Sequence, residues 1–143
     1  MKVSEAMTKR PIRLRSDSTV CDAANLMKSK RIGSILIVDE GKLIGVVTER
    51  DIITRAVADY KDPKKIMLRD IMSKPVICID ESEELVDASE LMKRHDIRRL
   101  AVLNKEGKLV GIITNNDIAS SLRRSAEELA ITYYIMSRRR EGR

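Results

Sequence analysis

Aromatic residues are nearly missing from this chain, which has no Phe, no Trp and only three Tyr in 143 residues. Its core must therefore come from Ile, Val, Leu, Met and Ala, and a single-stranded nucleic acid would find almost no ring to stack on. Histidine is as scarce: His95 stands alone, with no Ser or Cys partner for a triad and no second ligand for a metal. Cys21 and Cys78 are isolated, with no CxxC pair. That excludes a cysteine zinc site and, without a secretory signal, predicts a reducing, cytoplasmic setting. The longest apolar runs, such as 35–38 and 109–113, fall far short of a membrane span. Nothing supplies a P-loop or a nucleophile–base pair, so the sequence predicts no catalytic residue, no metal site and no required cofactor.

What is present has to fold as one compact domain or as two small halves sharing a core, because halves of about 60 residues bury too little surface alone. The net charge of +6 is unevenly placed. Residues 63–122 balance to zero, and the basic excess divides equally between 1–62 and 123–143. Such a balance permits a phosphorylated partner without demanding one. Arg123-Arg124 and Arg138-Arg139-Arg140 raise a nucleic-acid alternative, but phosphate contacts by themselves bind weakly and with strong salt dependence.

Sliding the sequence on itself gives a match at an offset of about 65 residues. Met7, Pro11, Asp22, Ala23, Leu26, Met27 and Ile32 fall on Met72, Pro75, Asp87, Ala88, Leu91, Met92 and Ile97. After a one-residue insertion, Gly41, Leu43, Gly45, Thr48, Asp51 and Ile52 fall on Gly107, Leu109, Gly111, Thr114, Asp117 and Ile118. Two copies are too few for a solenoid. Each copy predicts β-α-β-β-α. A Pro-led strand (11–15, 75–79) leads to a helix with Val20, Ala23, Ala24 and Met27, or Leu85, Ala88 and Met92, on one face. Thr19 and Asp22 form a candidate capping box at the first of these helices. Two aliphatic strands follow, 35–38 and 43–47 in one copy and 100–103 and 109–113 in the other, joined by Gly-bearing turns. The chain thus divides into a first repeat over 1–62, a second over 63–122 and a basic helical tail over 123–143. Ile118, Leu122, Ala126, Leu129, Tyr133 and Met136 trace a stripe at helical spacing that needs a covering surface, which predicts a homodimer in which the tail packs on the other subunit or on its own core.

The sharpest motif is Gly45-Val46-Val47-Thr48-Glu49-Arg50-Asp51, repeated as Gly111-Ile112-Ile113-Thr114-Asn115-Asn116-Asp117. Each puts a Thr at a strand end and an Asp three residues later, at a helix start. One reading is a capping box. The other is a ligand site, because free N–H groups and the helix dipole favour an anion there, and a carboxylate accepts from a ribose diol. The two readings can coexist.

In two copies, after a Pro-led strand and an aliphatic hairpin, this motif resembles the CBS domain (cystathionine β-synthase type) over 3–58 and 68–122. The resemblance implies an α/β (α+β) pair packed through its sheets about a pseudo-twofold, with two clefts that take AMP, ADP, ATP, S-adenosylmethionine or NAD as a regulatory ligand. It further implies that Asp51 and Asp117 hold ribose and that Thr48 and Thr114 approach phosphate or ribose. Ile12 and Val76, with Ile32, Gly33 and Ser34 and with Ile97, Arg98 and Arg99, would line the base pockets. Where the family often carries Thr or Ser in the Pro-led strand, this chain has Arg13 and Ile77. Only the second copy has two Arg before its strand, so Arg98 and Arg99 could grip phosphates and make the clefts unequal. A sensor of this kind would signal to a separate effector protein.

Overall fold

The computed structural model describes residues 1–141. The last two residues of the predicted tail, and the side chains of Arg140 and Glu141, lie outside the described residues. The elements run α1 (Val3–Ala6), β1 (Thr8–Lys9), β2 (Arg13–Leu14), α2 (Val20–Lys30), β3 (Ser34–Asp39), β4 (Lys42–Thr48) and α3 (Glu49–Ile52). A π-helical stretch, Ile53–Val57, continues α3, and a single 3-10 turn, Leu68–Asp70, lies in the connection between halves. The second half is β5 (Cys78–Asp80), α4 (Leu85–His95), β6 (Arg99–Leu103), β7 (Leu109–Thr114) and α5 (Asn115–Glu141). This is the mixed α/β architecture of two repeats with a helical extension.

Each half holds a parallel strand pair and an antiparallel hairpin: β2-β3-β4 in one sheet, β5-β6-β7 in the other. The Pro-led strands are shorter than the sequence predicts, with only Arg13–Leu14 and Cys78–Asp80 in the ladder. Pro11 and Pro75 have no N–H to give to one. Thr19 and Asp22 do cap α2, exchanging bonds of 3.0 and 3.1 Å. The buried face of α2 is Val20, Ala23 and Met27, whereas Ala24 is exposed, so the stripe is narrower than its composition suggested. At the far ends of α2 and α4, Arg31 and Asp96 adopt left-handed φ values of 54° and 53° and turn the chain toward β3 and β6.

Two cores result, and neither is built from one repeat. The first packs α2, β3 and β4 around Leu68 and Ile71, which lead the second repeat. The second packs α4, β5, β6 and β7 around Val3, which leads the first. Each leading segment crosses over and adds to the sheet of the other half. Thr8 and Lys9 pair with Ile112 and Gly111, and Ser73 exchanges backbone bonds with Val46 at 2.9 and 3.1 Å.

The crossing explains the glycine that opens each motif. A Cβ on Gly45 would sit 2.6 Å from the sulfur of Met72, and one on Gly111 would sit 2.5 Å from Met7 and 2.9 Å from the Thr8 carbonyl oxygen. Alanine at either position should destabilise by about 1–3 kcal/mol through overpacking. The loss should be greater at Gly111, where a backbone atom cannot swing aside. Urea denaturation of Gly45→Ala and Gly111→Ala measures both; full stability in either variant would contradict the close approach.

Candidate functional site

Both motif threonines end a strand and begin a helix, so their hydroxyls face amides that no intrahelical carbonyl can satisfy. Asp51 N–H donates to Thr48 Oγ1 at 3.1 Å, and Thr48 N–H donates to Asp51 Oδ2 at 2.9 Å. Asp117 and Thr114 repeat this at 3.1 and 2.9 Å. The capping reading is therefore realised in both copies.

Beyond the caps the copies part. Asp51 is 7% exposed, and its second oxygen accepts from the Ser73 hydroxyl at 3.1 Å. Arg55 stands 3.8 Å from that same oxygen. One Arg55 nitrogen also donates to the carbonyls of Ile71 and Met72, at 2.9 and 3.2 Å. Asp51 thus anchors the crossing segment Ile71–Ser73. The position equivalent to Arg55 is Ser121, and among the described residues Asp117 makes no side-chain bond outside its cap.

Between the halves lies a cleft of about 790 Å³. Its floor comes from sheet faces turned away from the helices: Leu36 and Val46 on one side, Ala101 and Ile112 on the other. Leu36 and Ala101 are buried, yet they belong to neither half's core. At the rim, Gly33, Thr48, Glu49 and Arg50 face Asp96, Ile97, Arg98 and Arg99, with Ser73 and residues 75–77 closing one wall. Three guanidinium groups thus line the cleft against two carboxylates. Arg99 is half-buried, and its Nη1 has no hydrogen-bond partner although it is shut off from solvent. A buried donor without a partner costs about 1–3 kcal/mol.

Of the residues singled out in the sequence, Gly33, Thr48, Val76, Ile97, Arg98 and Arg99 come together here. Ile12, Ile32, Ser34, Thr114 and Asp117 lie outside this cleft, and Asp51 lies behind it, bonded to the lining Ser73. Sequence reasoning missed Ser73, Arg50 and the apolar floor. Ser73 could have been found, because it directly follows Met72, the repeat partner of Met7. His95 is exposed in the last turn of α4. Among the described residues no His, Cys, Asp and Glu group is arranged to hold a metal, and no helix is long and apolar enough to cross a membrane.

A sequence profile for the CBS domain matches residues 3–58 and 68–124. MK0525, an uncharacterized protein of Methanopyrus kandleri, is 43% identical over 101 residues. That match covers 70% of this chain and 52% of the relative, so the chain spans about half of that protein's length. The CBS domain protein PAE2072 from Pyrobaculum aerophilum, solved in complex with AMP, aligns with a TM-score of 0.74 at 31% identity, over 82% of this chain and 89% of that one. The CBS domain pair of protein MJ0100, solved with 5'-methylthioadenosine and S-adenosyl-L-methionine, gives a TM-score of 0.77 at 29% identity, over 87% and 98%.

Proposed function

This chain belongs to the CBS-domain family, and on that premise we propose that it is a regulatory module that binds an adenosine-containing nucleotide between its halves and signals to a partner protein. The observation that carries the reading is the cleft itself, whose lining brings the guanidinium groups of Arg98 and Arg99 together with that of Arg50. A phosphate is the anion best matched to guanidinium groups so placed, and adjacent Arg98 and Arg99 allow a bidentate or shared grip. Arg50 adds a third positive group from the opposite rim. This balance of charge favours AMP, ADP or ATP over S-adenosylmethionine, whose sulfonium and ammonium bring positive charge. PAE2072 with AMP and MJ0100 with S-adenosyl-L-methionine support the adenosine class.

In this reading Thr48 and Thr114 approach phosphate or ribose and Asp117 takes ribose hydroxyls, whereas Asp51, buried behind the cleft, holds the lining Ser73 in place. Val76, Ile97 and Gly33 line the base pocket of the open cleft, and Ile12, Ile32 and Ser34 serve the second. The protein acts without catalysis, in the cytoplasm, as a homodimer.

A ligand that binds only the folded state, at about 100 times its Kd, adds roughly 2.7 kcal/mol. For a chain of this size that raises Tm by roughly 10 °C. The test is a melting screen with AMP, ADP, ATP, NAD, S-adenosylmethionine and duplex DNA. The adenosine phosphates should give the largest shifts. A shift with DNA and none with any adenosine compound would overturn the proposal in favour of nucleic-acid binding through the basic tail.

A further inference from the structure

From Leu122 to Arg139 every side chain of α5 is exposed except Ser125 and Ser137, which are half-buried. Yet residues 129–136 read Leu-Ala-Ile-Thr-Tyr-Tyr-Ile-Met, with Leu129 71% and Tyr133 76% exposed. At about 3.6 residues per turn, Ser125, Glu128, Thr132 and Arg139 fall on one narrow polar strip. The opposite side is a seam of small residues, Ala126, Ala130 and Ser137. Leu129, Tyr133 and Met136 rise along one edge of that seam. Glu127, Ile131, Tyr134 and Arg138 rise along the other, where the Arg138 guanidinium lies 5.9 Å from the Tyr134 ring centre. A helix apolar around most of its girth belongs inside an interface, and an unsupported segment of this length is marginal in water.

We propose that this segment pairs antiparallel with α5 of a second copy, about a twofold axis passing between Thr132 and Tyr133. The pairing rests on the homodimer proposed above and gives it a geometry. On one edge Leu129 meets the partner's Met136; on the other Ile131 meets the partner's Tyr134. The same axis puts Glu127 against the partner's Arg138, twice over, so opposite charges close both ends of the contact. Parallel pairing in register would set Glu127 on Glu127 and Arg138 on Arg138, which repel. The small-residue seam lets the two backbones approach, and the large residues clasp from both sides.

The test uses the full chain at tens of micromolar, by light scattering. A dimer is expected, and Leu129→Glu should weaken it at least about tenfold, with melting of the body and AMP binding unchanged. Glu127→Arg should weaken association and Glu127→Arg/Arg138→Glu should restore it. Under mild oxidation a mixture of Leu129→Cys and Met136→Cys chains should form the mixed disulfide, located by peptide mass, with neither variant cross-linking alone through its new cysteine. A monomer, a dimer indifferent to Leu129→Glu, or a disulfide formed by Leu129→Cys alone would overturn the pairing. A monomer that binds AMP leaves the sensor reading standing, whereas a dimer that binds no nucleotide does the reverse.

Discussion

Arg99→Met should weaken adenine-nucleotide binding about 10- to 100-fold and, in the same protein, raise the stability of the ligand-free state by about 1 kcal/mol. The two effects come from different N–H groups of one side chain. The arginine carries a buried N–H with no acceptor in the free protein, and methionine fills similar volume without that donor. A nucleotide phosphate is gripped by the accessible N–H groups of the same guanidinium, which methionine also removes. Arg98 is exposed, and Arg98→Met should lose less affinity and gain no stability. Titration calorimetry of both variants with AMP and ATP, beside urea denaturation without ligand, separates these outcomes. Unchanged nucleotide affinity in Arg99→Met would contradict the phosphate grip in the functional reading.

Asp51→Ala should cost about 3 kcal/mol and Asp117→Ala only about 1. Both lose a helix cap, worth about 1 kcal/mol. Asp51 loses in addition a charge-assisted bond from Ser73, worth roughly 1.5–3 kcal/mol. Arg55 is about half exposed, and its ion pair adds little by itself. Its bonds to the Ile71 and Met72 carbonyls nevertheless leave it held beside a vacated site. Ser73→Ala should reproduce part of the Asp51→Ala loss and none of the Asp117→Ala loss. Chemical denaturation of the three variants gives the comparison; equal losses in the two Asp variants would mean that Asp51 does not anchor the crossing segment.

Much of this was legible in the residues because local chemistry set it. The hairpins were marked by their turn glycines, and Gly41 and Gly107 do adopt φ values of 78° and 77°. The caps were marked by Thr and Asp at the right spacing. The bulk of the family's architecture followed from finding those marks twice. What the sequence could not display was which half each leading segment completes, since Val3 and Ile71 read as ordinary apolar residues wherever they pack. The glycines at 45 and 111 were visible as repeated letters, but their cause is a methionine arriving from elsewhere in the chain. The inequality of the two motifs was half legible: Arg98 and Arg99 stood out, whereas the Ser73 contact to Asp51 depends on two segments meeting that lie 22 residues apart.

The exchange of leading segments also orders events in time. A ribosome delivers Val3 long before α4, β6 and β7, the elements that bury it, and delivers the whole first sheet before Leu68 and Ile71, which finish the core beneath it. The earliest part of this pair is thus among the last to find its place. The first half waits on a stretch that the repeat pattern assigns to the second. Two copies of one unit, adjacent in the gene, are obliged by this lacing to mature as one object.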